Sequence, residues 1–233
     1  MEIKLKKRPE RPTIIEGFPG LGLVGTIAAE FLIDHLNAEQ IGGFYSKKLP
    51  PIIAIHKGNV LEPFGIFYDN KNNIVILRPL AVISGVEWEL ADTIIKLKKM
   101  LKAREIISLE GIESGFTKEP KAFFFTTEEK KDKKLRQIGL EKLNEGMVVG
   151  LTASLLSKQP DFTFIFTETH TELPDSRSAA KMIEVLDKYL GLEVDYKPLL
   201  EKAEAFEKKL KELIGLAVKK SREKQNRETI YVG

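Results

Sequence analysis

Apolar and polar positions change period several times along the chain, and each change marks an element. Glu2–Lys6 alternates Ile3 and Leu5 with charges, the period of a short half-exposed strand, and Pro9 and Pro12 interrupt the chain after it. Thr13–Glu16 reads as a brief buried strand that runs into a glycine-rich stretch, Gly17 to Gly25. From Val24 the period becomes helical, with Val24, Ile27, Ala28, Phe31, Leu32 and His35 on one face. Ile41–Tyr45 and Pro51–His56 read as strands, Lys57-Gly58-Asn59 turns the chain, and Val60–Tyr68 is another strand. The polar run Asp69–Asn73 is a turn into the apolar strand Ile74–Leu77.

Glu87–Leu101 has Leu90, Ile94, Leu97 and Leu101 three or four apart, the spacing of an amphipathic helix, and Glu105–Leu109 is the next buried strand. Strand, helix and strand in this order make a crossover, which requires parallel pairing. Phe162–Phe166 is a further apolar strand. Pro174-Asp175-Ser176 starts a helix, Arg177–Leu190, that stops at Gly191. The expected fold class is α/β: a three-layer α/β/α core over residues 1–195 with a mixed, partly parallel sheet.

Beyond the core the pattern narrows. Leu199, Ala203, Phe206, Leu210, Leu213 and Ala217 form a thin apolar stripe on a highly charged helix, assigned to residues 196–218. Such a stripe either packs on its own domain or forms a seam with another subunit, as in a coiled coil. Residues 219–233 are polar and mostly basic until Ile230-Tyr231-Val232-Gly233, and are expected to form a flexible tail. Three apolar residues after a solvated linker have no core to join, which points to a peptide that docks elsewhere.

Composition then removes several classes. The 233 residues include no cysteine, so disulfides, thiol nucleophiles, iron–sulfur clusters and cysteine zinc sites are excluded. A net charge of +3, from 37 basic and 34 acidic side chains, argues against a nucleic-acid binder. No apolar run approaches the ~20 residues a membrane helix needs. Met1–Pro12 lacks a signal-peptide pattern, so a cytoplasmic protein without membrane contact is expected.

Two constellations could carry chemistry. Gly20-Leu21-Gly22-Leu23-Val24-Gly25 matches G-x-G-x-x-G between a strand and a helix, the form of a nucleotide-binding loop. The acid required on the second strand is missing, because Ile41–Tyr45 ends in Ser46-Lys47-Lys48. No Gly-Lys-Ser or Gly-Lys-Thr is present for a P-loop. Close helix–strand packing is the stronger account of the glycines, and no cofactor is expected. The second constellation is Glu168-Thr169-His170-Thr171-Glu172 after the last strand, with Glu16 and Glu110 ending others. Carboxylates and an imidazole at one sheet edge would suit a phosphorylase- or hydrolase-type enzyme using Glu168 and His170. A solvated loop, with Asp175 as a helix N-cap, is favoured over it. His35 and His56 read as packing residues, Trp88 as a core anchor or interface residue, and Lys130–Lys134 as a solvated helix face.

Three stretches together carry a resemblance. The run Gly17 to Gly25 before a helix, then Thr152-Ala153-Ser154-Leu155-Leu156, then Leu173-Pro174-Asp175 with Tyr189-Leu190-Gly191-Leu192-Glu193-Val194-Asp195, resembles the landmarks of the proteasome assembly chaperone family. The charged terminal helix is similar to its archaeal branch. The resemblance implies a nucleoside-phosphorylase-like core without catalysis and a role with proteasome α subunits. Taken with the apolar stripe, the expected protein is a non-enzymatic chaperone or proteasome-binding protein that works without ATP, as a homo-oligomer presenting several tails. In some members a hydrophobic–tyrosine–any-residue tail inserts between α subunits of the ring. Ile230, Tyr231 and Val232 match that tail, with Gly233 as an additional residue.

Overall fold

The computed structural model describes residues 1–49, 53–56, 58–80, 84–114, 119–159, 161–169, 173–201 and 212. Four strands form the centre: β2 (Thr13–Glu16), β7 (Ile74–Pro79), β8 (Glu105–Glu113) and β11 (Thr163–Thr169). They are neighbours in the order β7-β2-β8-β11 and all run parallel. The sheet extends on one side through β6 (Phe64–Asp69), β3 (Glu39–Tyr45) and β1 (Glu2–Leu5), each antiparallel to its neighbour. On the other side stand β9 (Ala122–Phe125), antiparallel to β11, and β10 (Glu141–Lys142), parallel to β9. The result is a nine-stranded mixed sheet, and a separate hairpin pairs β4 (Ala54–His56) with β5 (Asn59–Leu61).

Alternation along the central strands sends consecutive side chains to opposite layers. Ile15, Ile76, Ile107, Leu109 and Ile165 share a core with α1 (Val24–His35) and α5 (Ser176–Leu190). Ile14, Val75, Leu77, Ile106, Phe164 and Phe166 share the other with α2 (Glu87–Leu101) and α4 (Gly150–Lys158). Being covered on both faces, β2, β6 and β7 are buried at every residue, which is why they read as continuous apolar runs. The three-layer α/β/α architecture expected from the sequence is the one observed.

Local chemistry fixes the helix ends. The Asp175 side chain accepts hydrogen bonds from the Arg177 and Ser178 amides and so caps α5, while Gly191 closes it in the left-handed conformation at φ 69°. The α3 helix (Glu129–Gln137) is anchored by fully buried Leu135; Lys130, Lys133 and Lys134 are exposed as expected, whereas the Lys131 side chain is largely buried and paired with Glu128. One of the polar contacts between layers is an ion pair. Arg78 on β7, almost wholly buried, sits with Nε 3.0 Å from Glu30 Oε2 on α1, without the alignment of a hydrogen bond. Its guanidinium also covers the Phe67 ring, 5.0 Å from the centroid.

Several details differ from the pattern-based expectation. His35 is exposed rather than packed, and stacks on Phe31 at 5.5 Å; Thr26, Ala29 and Ile33 are buried instead, so the buried face of α1 is rotated and wider. The single strand expected over Val60–Tyr68 is two, β5 and β6, broken at Glu62-Pro63 where proline cannot donate to a ladder. Within Pro51–His56 the strand is Ala54–His56, and residues 51 and 52 lie outside the described residues. Trp88 is exposed, which removes the core-anchor reading. A sixth helix, α6 (Lys197–Glu201), starts where the terminal helix was expected and includes Leu199. Ala203, Phe206, Leu210 and Leu213 lie outside the described residues, as do Ile230, Tyr231 and Val232. Among the described residues no helix is long and apolar enough to cross a membrane.

The Arg78–Glu30 pair makes a direct test of the interlayer contact. Glu30→Ala leaves a buried guanidinium without its carboxylate and is expected to cost about 3 kcal/mol. Denaturant unfolding at neutral pH measures it; an unchanged midpoint would refute the contribution.

Candidate functional site

The loop between β2 and α1 is pressed against β8. A Cβ on Gly17 would fall 2.2 Å from the Gly25 carbonyl oxygen, and one on Gly25 would fall 2.5 Å from that of Leu109. Both glycines therefore permit backbone approaches that any side chain would block. Between them the chain makes a 3-10 turn, Leu21–Leu23, with Gly22 at φ 63° in the left-handed region. The space over Gly20 is filled from β8: an added Cβ would lie 1.8 Å from Glu110 Oε1.

Two carboxyl groups sit under this loop at the carboxyl edge of the parallel strands. Glu16, at the end of β2, is 1% exposed; it accepts a short hydrogen bond from the Ser108 hydroxyl and one of 3.2 Å from the Phe18 amide. Burial pushes its carboxyl up to about 8; the nearby Glu110 adds to the rise, and the Ser108 and Phe18 hydrogen bonds oppose it. Glu110 accepts from the Thr152 hydroxyl of α4 at 2.7 Å and from the Gly111 amide at 3.2 Å, and also from the Leu21 amide. Burial raises it to about 7 against those three donors. Glu110 thus joins the glycine loop, β8 and α4 through one side chain. A phosphate at this loop would have to displace it, so the contacts support packing as the purpose of the glycines. Ser108 is fully buried beside Glu16, so this hydroxyl–carboxyl pair meets no substrate.

The adjoining segment is organised by Asp175. Its carboxylate accepts from the Thr169 and Ser178 hydroxyls, both at 2.8 Å, and its amide donates to the Gly22 carbonyl at 2.9 Å. The α5 cap is therefore tied to the glycine loop. Glu168 of the enzyme reading accepts from the Lys121 amide at 2.9 Å, a link between β11 and the start of β9. His170 and Glu172 lie outside the described residues. Among the described residues no group of three acidic or histidine side chains could hold a metal ion.

The same edge presents apolar side chains to solvent. Since β3 is parallel to β7 through β6, the connection holding β4 and β5 opens from the carboxyl edge, and Ile53 and Ile55 are exposed on it. Trp88 opens α2 after β7, and Leu173 comes after β11; both are exposed. Met147 at 90% and Val149 at 72% precede α4, whose first turn meets Glu110. Lys158 Nζ lies 5.5 Å from the Trp88 ring centroid and pairs with Asp92. Sequence reasoning missed Met147, Val149, Ile53 and Ile55; the Met147-Val148-Val149 run before Gly150 was the available signal.

An α/β/α layer fold with a glycine loop sealed by internal carboxyls, and apolar residues exposed beside it, defines a class with known relatives. The chain belongs to the PAC2 family, which it matches over residues 14–214. It is similar to the crystal structure of Pyrococcus furiosus PbaA, an archaeal homolog of proteasome-assembly chaperone, with a TM-score of 0.84 and 31% identity over 96% of this chain and 100% of that one. It is also similar to Pyrococcus furiosus PbaB, an archaeal proteasome activator, with a TM-score of 0.73 and 26% identity over 91% and 98%. An uncharacterized protein of Methanocaldococcus jannaschii is 33% identical over 98% of this chain and 96% of its own.

Glu16 generates a pH prediction. Its folded-state value, raised from 4.5 to about 8, means the folded protein keeps a proton that the unfolded chain has released. That contribution is complete below the unfolded value and is lost as pH rises toward 8. The thermal midpoint is expected to fall between pH 5 and about 8.5, and Glu16→Gln, which stays neutral, to flatten the slope. Scanning calorimetry across that range measures both; equal slopes in the two proteins would refute the assignment.

Proposed function

We propose that this chain is a non-enzymatic, ATP-independent proteasome-binding protein of the assembly-chaperone type that engages proteasome α subunits. The observation that carries the reading is full-length similarity to PbaA at a TM-score of 0.84, joined by the likeness to the proteasome activator PbaB. The physical support is consistent with surface recognition. Polar groups beside the glycine loop are spent on holding the fold together, while Trp88, Met147 and Val149 stand exposed at that edge. Exposed apolar side chains at an edge formed from several loops suit a protein partner better than a small substrate.

The mechanism has two contributions. The body self-associates through the stripe Leu199, Ala203, Phe206, Leu210 and Leu213, and each copy supplies a tail in which Ile230, Tyr231 and Val232 contact the α ring. Ile230 enters an apolar cleft, and Tyr231 adds ring packing with a hydroxyl hydrogen bond. Arg222, Lys224 and Arg227 assist encounter with an acidic surface while adding little affinity. Linked copies convert weak single contacts into avidity.

Light scattering at micromolar concentration is expected to give a multiple of 26.3 kDa, with Phe206→Glu plus Leu210→Glu shifting it toward monomer. A monomeric wild type would refute the seam. In an affinity pull-down with purified α rings, the intact chain is expected to bind, removal of residues 230–233 to abolish binding, and Tyr231→Ala to weaken it severely. Binding untouched by the truncation would move recognition to the folded body; no binding by the intact chain would overturn the proteasome reading.

A further inference from the structure

A cavity of about 310 Å³ opens at the opposite edge of the sheet, where β2, β7 and β8 begin. Its volume is near the ~300 Å³ lower end of small-molecule sites. Arg104, at the entry to β8, and Lys134, on α3, line it from different elements, together with Asn72, Tyr189, Leu190 and Leu192. Glu105 and Lys131, which also line it, already have partners. Glu105 accepts from the Tyr189 hydroxyl at 2.9 Å and from the Thr163 hydroxyl, with Lys131 Nζ at 3.9 Å. Lys131 is held more tightly by Glu128, at 2.7 Å, and by the Asp161 carbonyl, at 2.8 Å.

That leaves two cations uncompensated. Among the described residues Arg104 and Lys134 have no carboxylate partner, and Lys134 Nζ is instead held over the Tyr189 ring, 4.3 Å from its centroid. The Arg104 backbone amide donates a hydrogen bond of 2.9 Å to the Pro12 carbonyl, so its forked guanidinium extends from an anchored backbone. A forked donor and a point charge that line one cavity from different elements match an anion with several oxygens. One N–H of the Asn72 side chain is committed to Asp69 Oδ2, and the other is available as a neutral donor. Leu190 and Leu192 add an apolar wall on which an organic remainder could rest.

We propose that this cavity binds a small phosphate-bearing anion between Arg104 and Lys134. The site is independent of the proteasome reading and lies at the edge away from the glycine loop. Titration calorimetry at low ionic strength tests it on the full chain, with inorganic phosphate and AMP as probes and acetate as the control. Saturable binding of phosphate or AMP, weakened about tenfold or more in Arg104→Ala plus Lys134→Ala, is the expected result. Both side chains are exposed, so the double variant should keep the wild-type thermal midpoint. AMP binding more tightly than phosphate would place an organic remainder on Leu190 and Leu192; equal affinities would mark a site for the phosphate group alone. No saturable heat with either probe at millimolar concentration, or undiminished binding in the double variant, would overturn the proposal.

Discussion

The fold depends on how closely the Gly17–Gly25 loop approaches β8. Gly25 lies against the Leu109 carbonyl, and a Cβ on Gly111 would fall 2.2 Å from that of Leu21, so the contact is backbone on backbone from both sides. The start of α1 is thereby fixed against the middle of the parallel sheet. From there Val24, Ile27 and Ala28 enter the core that α5 closes. Wider spacing would leave the central strands with a void on that layer, and protein interiors tolerate few voids.

The close approach also determines the electrostatics. Glu16 ends β2 and Glu110 lies within the adjacent parallel strand β8, and the loop folded over them removes water from both. Burial is then the dominant influence on each carboxyl, and the five hydrogen bonds they receive reduce the penalty without cancelling it. The opposite edge differs in sign. There Glu105 accepts from two hydroxyls and shares Lys131 with Glu128, and Arg104 and Lys134 add positive charge around an open cavity. One sheet thus carries protonatable acids under a sealed loop at one end and unpaired bases at the other.

Much of this was legible in the sequence because it depends on local periodicity. The runs at β2, β7, β8 and β11 are apolar enough to need burial on both faces, and the α2 and α5 stripes declare their period. Elements that depend on tertiary context were harder to see. Three phenylalanines in β9 lie in a short run flanked by Lys121-Ala122 and Thr126, and pairing with β11 on one side and β10 on the other makes them a strand. The nine residues of α4 become a helix through packing on α2 and through Thr152 reaching Glu110, neither of which its spacing shows. The glycine loop was recognisable by its residues, and its packing role was inferred from the missing acid. Ser108 and Thr152, the hydroxyl partners of the two buried carboxyls, sit 92 and 42 positions away from them along the chain.

The arrangement explains why a G-x-G-x-x-G loop can exist here without the chemistry the motif usually supports. In a dinucleotide fold the amides at the helix start are left for a pyrophosphate. In this chain the Leu21 amide donates to Glu110, and the Gly22 carbonyl accepts from the Asp175 amide, so the loop's polar groups point into the protein's own β8 and α5. An internal carboxyl at that position holds three segments together. Trp88, Met147, Val149 and Leu173 are exposed there, on connections that the loop's closure keeps in register. The same glycines that make the fold compact therefore close the crevice and leave apolar side chains exposed on its rim.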